Sequence, residues 1–89
     1  PGGQMLSVHI TDPKEETAVR EAIRLADGVR AHWPESGIRM IGPSAAGISR
    51  IQDVYRQQLF IKHPSRKLLL QIRDFMELEK KTGLQIDLL

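Results

Sequence analysis

Arg56, Lys62, Arg66 and Lys67 fall within the twelve residues 56–67, in the run Tyr55-Arg56-Gln57-Gln58-Leu59-Phe60-Ile61-Lys62-His63-Pro64-Ser65-Arg66-Lys67. In that run, residue type and spacing come nearest to chemistry. Guanidinium groups hold phosphates or carboxylates through paired hydrogen bonds, and ammonium groups hold them as point charges. Arg73 lies one to two helical turns further on and extends the same set. Arg66 sits where a helix is expected to begin, at the positive end of the helix dipole, which disfavours a cation by some tenths of a kcal/mol. With free backbone N–H groups close by, that position is also a ready anion site. The plain alternative is that these charges only solubilise the surface.

Other chemistry finds little support. Neither Gly37–Gly42 nor Gly42–Gly47 is followed by the Lys and Ser/Thr of a phosphate-binding loop, so ATP hydrolysis has no home here. His9, His32 and His63 have no second ligand at metal spacing. No serine sits in a nucleophile elbow, and no carboxylate pair is marked as an acid and base couple. Glu15-Glu16 reads as the negative first turn of a helix.

The elements that must position the cations follow from hydrophobic periodicity. Met5 to Thr11 alternates, with Leu6, Val8 and Ile10 on one side, and predicts a first strand. Asp12-Pro13-Lys14-Glu15 predicts an N-cap, a proline at the first helical position and a capping box. Val19, Ala22, Ile23, Ala26, Val29 and Trp33 then form the expected inner stripe, with Arg20, Glu21, Arg24 and Asp27 turned away. Gly28 reads as a weak point in that helix. Ile38 to Ile51 predicts a second strand broken by a bend at Gly42-Pro43, and Gln52-Asp53-Val54 a turn into a third strand, Tyr55 to Lys62. Ser65 caps a second helix with Leu68, Leu69, Ile72, Phe75 and Met76 inside. After Thr82-Gly83, Leu84 to Leu88 alternates as a last strand.

Strand, helix, strand, strand, helix, strand is the split βαββαβ order of an α+β, ferredoxin-like domain. It predicts a four-stranded antiparallel sheet carrying two helices on one face and leaving the other open. Parity places Tyr55 with Leu59 and Ile61 towards the core, and Phe60 on the open face with Arg56 and Lys62. An aromatic ring between cations can stack a base of single-stranded nucleic acid. Equally, it can contact another domain of a longer protein.

The chain has 89 residues, enough for one domain and one modest core. Residues 1–4 read as a linker remnant and 5–89 as the domain. With no cysteine, disulfides and thiolate metal sites are excluded, as suits a reducing cytoplasm. No run approaches the ~20 apolar residues of a membrane span. Net charge is +2, yet residues 48–89 hold eight Lys/Arg against five Asp/Glu, while residues 1–47 hold five against six.

Four pieces in order carry a resemblance. They are Ile41 to Ile51 with the pattern G-P-x-x-A-x-I-x-R, then Tyr55 to Arg66 with Y-R-x-Q-L-x-x-K-x-P-S-R, a helix, and the closing Gln85-Ile86-Asp87. Together they resemble the C-terminal domain of the primosomal protein N′ (PriA) family of replication restart DNA helicases. The resemblance implies a fragment with no chemistry or cofactor of its own. Its parent would be an ATP-dependent 3′-5′ DNA helicase using ATP and magnesium and carrying zinc, all outside this chain.

It also implies cytoplasmic work on forked or single-stranded DNA through Arg50, Arg56, Phe60, Lys62, Arg66 and Lys67. Further implied partners are the helicase core of the same chain, other primosome proteins, and the acidic tail of single-stranded DNA-binding protein. That tail would meet Arg66, Leu70, Gln71 and Arg73. Where relatives present a polar residue one turn after the arginine, this chain has Leu70 with Gln71 beside it, and it ends Asp87-Leu88-Leu89 in place of D-x-D-P. A monomer with no membrane contact is expected. The alternative from the fold alone is a ligand-sensing or protein-docking regulatory domain that does not bind DNA.

Overall fold

The computed structural model describes residues 4–89, with the side chains of residues 48, 49 and 51 excepted; residues 1–3 of the expected linker remnant lie outside the described residues. The element order is β1 (Gln4–Asp12), α1 (Glu15–His32), β2 (Arg39–Ile51), β3 (Val54–His63), α2 (Arg66–Glu79) and β4 (Gly83–Leu88). The strands form one sheet in the order β2-β3-β1-β4, antiparallel throughout. This is the predicted ferredoxin-like arrangement.

Alternation in β1 and β3 decides which face is covered. Leu6, Val8 and Ile10 of β1 and Leu59 and Ile61 of β3 are fully buried, and they join Ala22, Leu25, Ala26 and Val29 of α1 and Leu69, Ile72 and Met76 of α2 in one core. Met40 of β2 and Leu84, Ile86 and Leu88 of β4 pack around it half-buried, so the same face of all four strands carries the helices.

α1 departs from its prediction in two ways. Lys14, not Asp12, holds the capping position, and no side chain caps the helix. Asp12 is still paired with Tyr55 in the sheet, and its carboxylate accepts from the Lys14 N–H at 2.9 Å, which leaves Pro13 in the turn rather than in the helix. The buried face is also rotated: Ala18, Glu21, Ala22, Leu25, Ala26 and Val29 are inside, while Val19 and Ile23 are 37% and 48% exposed. Alanines at three of these positions let the helix lie close on the sheet, and Leu25 joins the core while Ile23 does not.

Gly28 faces α2: a Cβ there would lie 3.4 Å from the Phe75 ring, at the near limit of ordinary contact. The ring also meets Trp33 edge-on at 5.3 Å and His32 at 5.0 Å, closing the end of the interhelical seam.

β2 runs as one strand through the expected bend, which appears as register shifts between Ile41 and Ser44 and between Ala45 and Arg50. Gly42 is required there twice over: its φ is +94°, and a Cβ would lie 2.9 Å from the Gln58 carbonyl oxygen. Gln52 and Asp53, with φ of 52° and 64°, make the tight hairpin turn into β3.

Candidate nucleic-acid interface

The sheet face away from the helices is built in cross-strand rows. Arg39 of β2 stands opposite Lys62 of β3, and Lys62 opposite Met5 of β1. In the next row Ile41, Phe60, Ser7 and Asp87 succeed one another across all four strands. Ser44, Gln58, His9 and Gln85 form the third, and Arg56, Thr11 and Gly83 close the far end. Phe60 is half-buried, Ile41 is 50% exposed, and Ser7 is tucked between its neighbours at 8%. The predicted placement of Phe60, Arg56 and Lys62 on one face holds. Arg56, however, is four residues from Phe60, about 13 Å along the strand.

Ion pairing separates the cations into two groups. Arg20, Arg24, Arg30, Arg50, Arg73 and Lys80 each lie within 4 Å of a carboxylate. Arg39, Lys62, Arg66 and Lys67 have no ion-pair partner among the described residues, and all four lie at one end of the domain, where β2 begins, β3 ends and α2 starts. Lys14 and Lys81 likewise lie within 4 Å of no carboxylate among the described residues, but they sit at the opposite end, where the Lys81 charge acts on Glu21. Two like charges directly opposite on a sheet repel, so the Arg39–Lys62 pair makes a local excess of positive potential.

Arg50, placed by the resemblance among the DNA-binding residues, belongs to the hairpin tip. It pairs with Asp53 and its guanidinium lies 5.6 Å from the Tyr55 ring centre. Its cross-strand partner is Tyr55, which has the parity of the helix-covered face. The structure therefore separates Arg50 from Lys62, Arg66 and Lys67.

A specific set of hydrogen bonds shapes the turn from β3 into α2. Ser65 Oγ accepts from the Leu68 N–H at 3.1 Å, the predicted cap. His63 Nδ1 accepts from the Ser65 N–H at 2.9 Å while Nε2 lies 3.0 Å from the Ser36 carbonyl oxygen. Those two contacts assign the neutral tautomer protonated at Nε2, and they tie the α1–β2 loop to the start of α2. Arg66 and Lys67 project from this fixed corner into solvent. Helical spacing puts Leu70 and Arg73 on the flank of Arg66, whereas Gln71 lies about 100° round from Leu70 on another side. Arg73 is engaged by Asp74 at 3.1 Å.

Glu21 went unrecognised from the sequence. Its side chain is 5% exposed, accepting from Arg24 Nε at 2.7 Å and from the Lys81 backbone N–H at 2.6 Å. Arg24 in turn donates to the Glu79 carbonyl oxygen at 2.6 Å. Burial works to raise the Glu21 pKa. The hydrogen bonds from Arg24 and from the Lys81 backbone, with the charges of both residues, outweigh it and hold the carboxyl below its ordinary range. Next to this network Thr17, Arg20, Ile23, Asp27 and Thr82 line a shallow groove of about 510 Å³. Arg39, Ile41 and Asp87 were likewise missed. Arg39 and Ile41 share a parity that a search for alternation in 38–41 could have shown, although apolar residues on both sides blur it.

The fold and this site together define an open-faced, ferredoxin-like α+β domain with a cationic end. A model of the primosomal protein N C-terminal domain family matches residues 1–88, and the chain belongs to that family. Membership ties it to the primosome and replication restart, which involve DNA and other primosome proteins in general. No curated protein sequence matches.

Among solved structures the chain is similar to the de novo designed protein Foldit4, with TM-score 0.69, 12% identity, and 98% of this chain and 96% of that chain covered. It is also similar to the designed protein Ferredog-Diesel, with TM-score 0.54, 11% identity and coverage of 96% and 83%. CutA1 from Oryza sativa follows at TM-score 0.54, 14% identity and coverage of 99% and 80%. At these identities the likenesses establish the fold alone. Among the described residues no helix is long and apolar enough to cross a membrane.

Proposed function

We propose that this domain contributes to replication restart by binding branched or single-stranded DNA, and that it supplies contacts rather than catalysis, in the cytoplasm, with no cofactor of its own. The observation that carries this reading is the gathering of unpaired cations: Arg39, Lys62, Arg66 and Lys67 lie together at one end, where Arg30 is already held by Asp27. Phosphate contacts supply most of non-specific nucleic-acid affinity, and unpaired cations on a rigid sheet and helix start suit them. In this scheme Arg56 and Phe60 act from the open face, and Arg50 acts at the hairpin tip. ATP, magnesium and zinc belong to the parent helicase.

A second contact is favoured by a separate feature. Arg66, Leu70 and Arg73 share one flank of α2, an apolar side chain between two guanidiniums. That flank suits an acidic peptide with an apolar end, such as the tail of single-stranded DNA-binding protein, with Gln71 at its margin. The rest of the surface is left for docking on the helicase core and other primosome proteins, the domain itself being a monomer.

The test is titration of a forked oligonucleotide and, separately, an acidic peptide ending in an aromatic carboxylate. Combined substitution of Lys62, Arg66 and Lys67 by alanine should weaken DNA binding and its salt dependence. Arg66→Ala alone should weaken the peptide. Unchanged DNA affinity at low salt would remove the first reading, and unchanged peptide affinity the second.

A further inference from the structure

The rows of the open face differ in charge from one edge of the sheet to the other. The row of Arg39 and Lys62 continues to Met5 and on to Leu89, and contains no side-chain carboxylate. The adjacent row, about 7 Å along the strands, ends at Asp87 on β4. Between that acid and the cations lie Ile41 and Phe60, then Ser7. Asp87 Oδ2 is 3.4 Å from Gln85 Nε2, its only hydrogen-bond contact among the described residues, which leaves Oδ1 available.

We propose that the open face binds one unpaired DNA strand with a phosphate over Arg39 and Lys62, a base stacked on Phe60 beside Ile41, and the exocyclic amino group of that base donated to Asp87. This rests on the DNA-binding reading above and adds a base preference to it. A phosphate relieves the repulsion between the two facing cations. Asp87 repels phosphate, so the backbone keeps to the β2–β3 side and the base edge points towards β4. A base in a duplex hides its faces, so only an unstacked one can use Phe60 and Ile41. A carboxylate accepts from the exocyclic amino group of cytosine, and adenine offers a similar donor, whereas thymine carries at that position a carbonyl oxygen that the acid repels and keeps only its ring N3–H as a donor. Asp87 is thereby a specificity residue, and cytosine- and adenine-bearing strands bind better than thymine-bearing ones.

The measurement is fluorescence anisotropy of the 89-residue chain with short oligo-dC, oligo-dA and oligo-dT and a duplex. Oligo-dC should bind about fivefold or more tighter than oligo-dT, the scale of one hydrogen-bonded discrimination. Asp87→Asn, whose amide can also donate to the thymine oxygen, should bring that ratio close to one. Phe60→Leu, which keeps an apolar side chain in place, should weaken every single strand and leave the duplex unchanged. Arg39→Ala should weaken all of them alike. Salt-sensitive binding that is blind to base identity and to Asp87→Asn and Phe60→Leu would overturn this inference alone. Absence of binding to any oligonucleotide, forked ones included, would overturn it together with the reading beneath it.

Discussion

The Glu21 carboxylate on α1 accepts a 2.6 Å hydrogen bond from the backbone N–H of Lys81, sixty residues further along the chain. Through Arg24 the same group reaches the Glu79 carbonyl at the end of α2, so one buried acid joins the first helix to the connection that feeds β4. Glu21→Ala would leave the Lys81 N–H and the Arg24 guanidinium without this acceptor. A destabilisation of about 1–3 kcal/mol is expected, the usual cost of an orphaned buried donor. Urea denaturation checks it: the midpoint should fall with little change in slope, and Glu21→Gln should fall less than the alanine variant.

The same carboxylate makes stability depend on pH. Its folded-state pKa is lowered, so in the acid range the unfolded chain binds more protons and stability rises with pH. The Glu21 contribution is fully present above the unfolded value of about 4.3 and is lost as pH falls through the lower folded value. The gap in unfolding free energy between the parent chain and Glu21→Gln should therefore be constant above about pH 5 and close on further acidification. A gap that widens towards low pH would contradict the assignment.

Two glycines should respond oppositely to alanine. At Gly28 the added methyl would meet the Phe75 ring at 3.4 Å, an ordinary contact, and alanine favours the helix by up to about 1 kcal/mol. Gly28→Ala should therefore raise the melting temperature, and Gly28→Val, with more bulk against the ring, should lower it. At Gly42 the φ of +94° and the approach to the Gln58 carbonyl oxygen at 2.9 Å both oppose a side chain. Gly42→Ala should destabilise by about 1–3 kcal/mol, the range for a strained backbone conformation.

Legibility followed the range over which each feature is determined. Alternation in Leu6, Val8, Ile10, Leu59 and Ile61 and the Ser65 cap are local and appear in the structure as the residues predict, and the turn predicted over Gln52-Asp53-Val54 appears at Gln52-Asp53 with Val54 already in β3. Glu21 was assigned outward because charge normally means solvent, and its partners come from a loop that no helical period foretells. The rotation of α1 follows from the same cause, since placing Glu21 inside carries Val19 and Ile23 outward. Arg39 becomes significant only once β2 and β3 are in register, and the bulges at Gly42-Pro43 and beyond Ala45 make that register unreadable from spacing. Arg50 joins the other cations only through the family resemblance, while the hairpin tip supplies it with Asp53 and Tyr55.

The remaining prediction concerns the cationic end. Lys62, Arg66 and Lys67 have no carboxylate partner among the described residues, so removing them breaks no ion pair and should cost little stability. If each meets one phosphate, the triple alanine variant should reduce the slope of log affinity against log salt by about 2–3. Arg50→Ala, which releases Asp53 at the hairpin tip, should change that slope by about 1 at most. Salt-dependent binding titrations of the parent chain and the two variants against one forked oligonucleotide measure all three slopes. A larger loss of slope from Arg50→Ala than from the triple variant would place the phosphate contacts at the hairpin tip instead of at the start of α2.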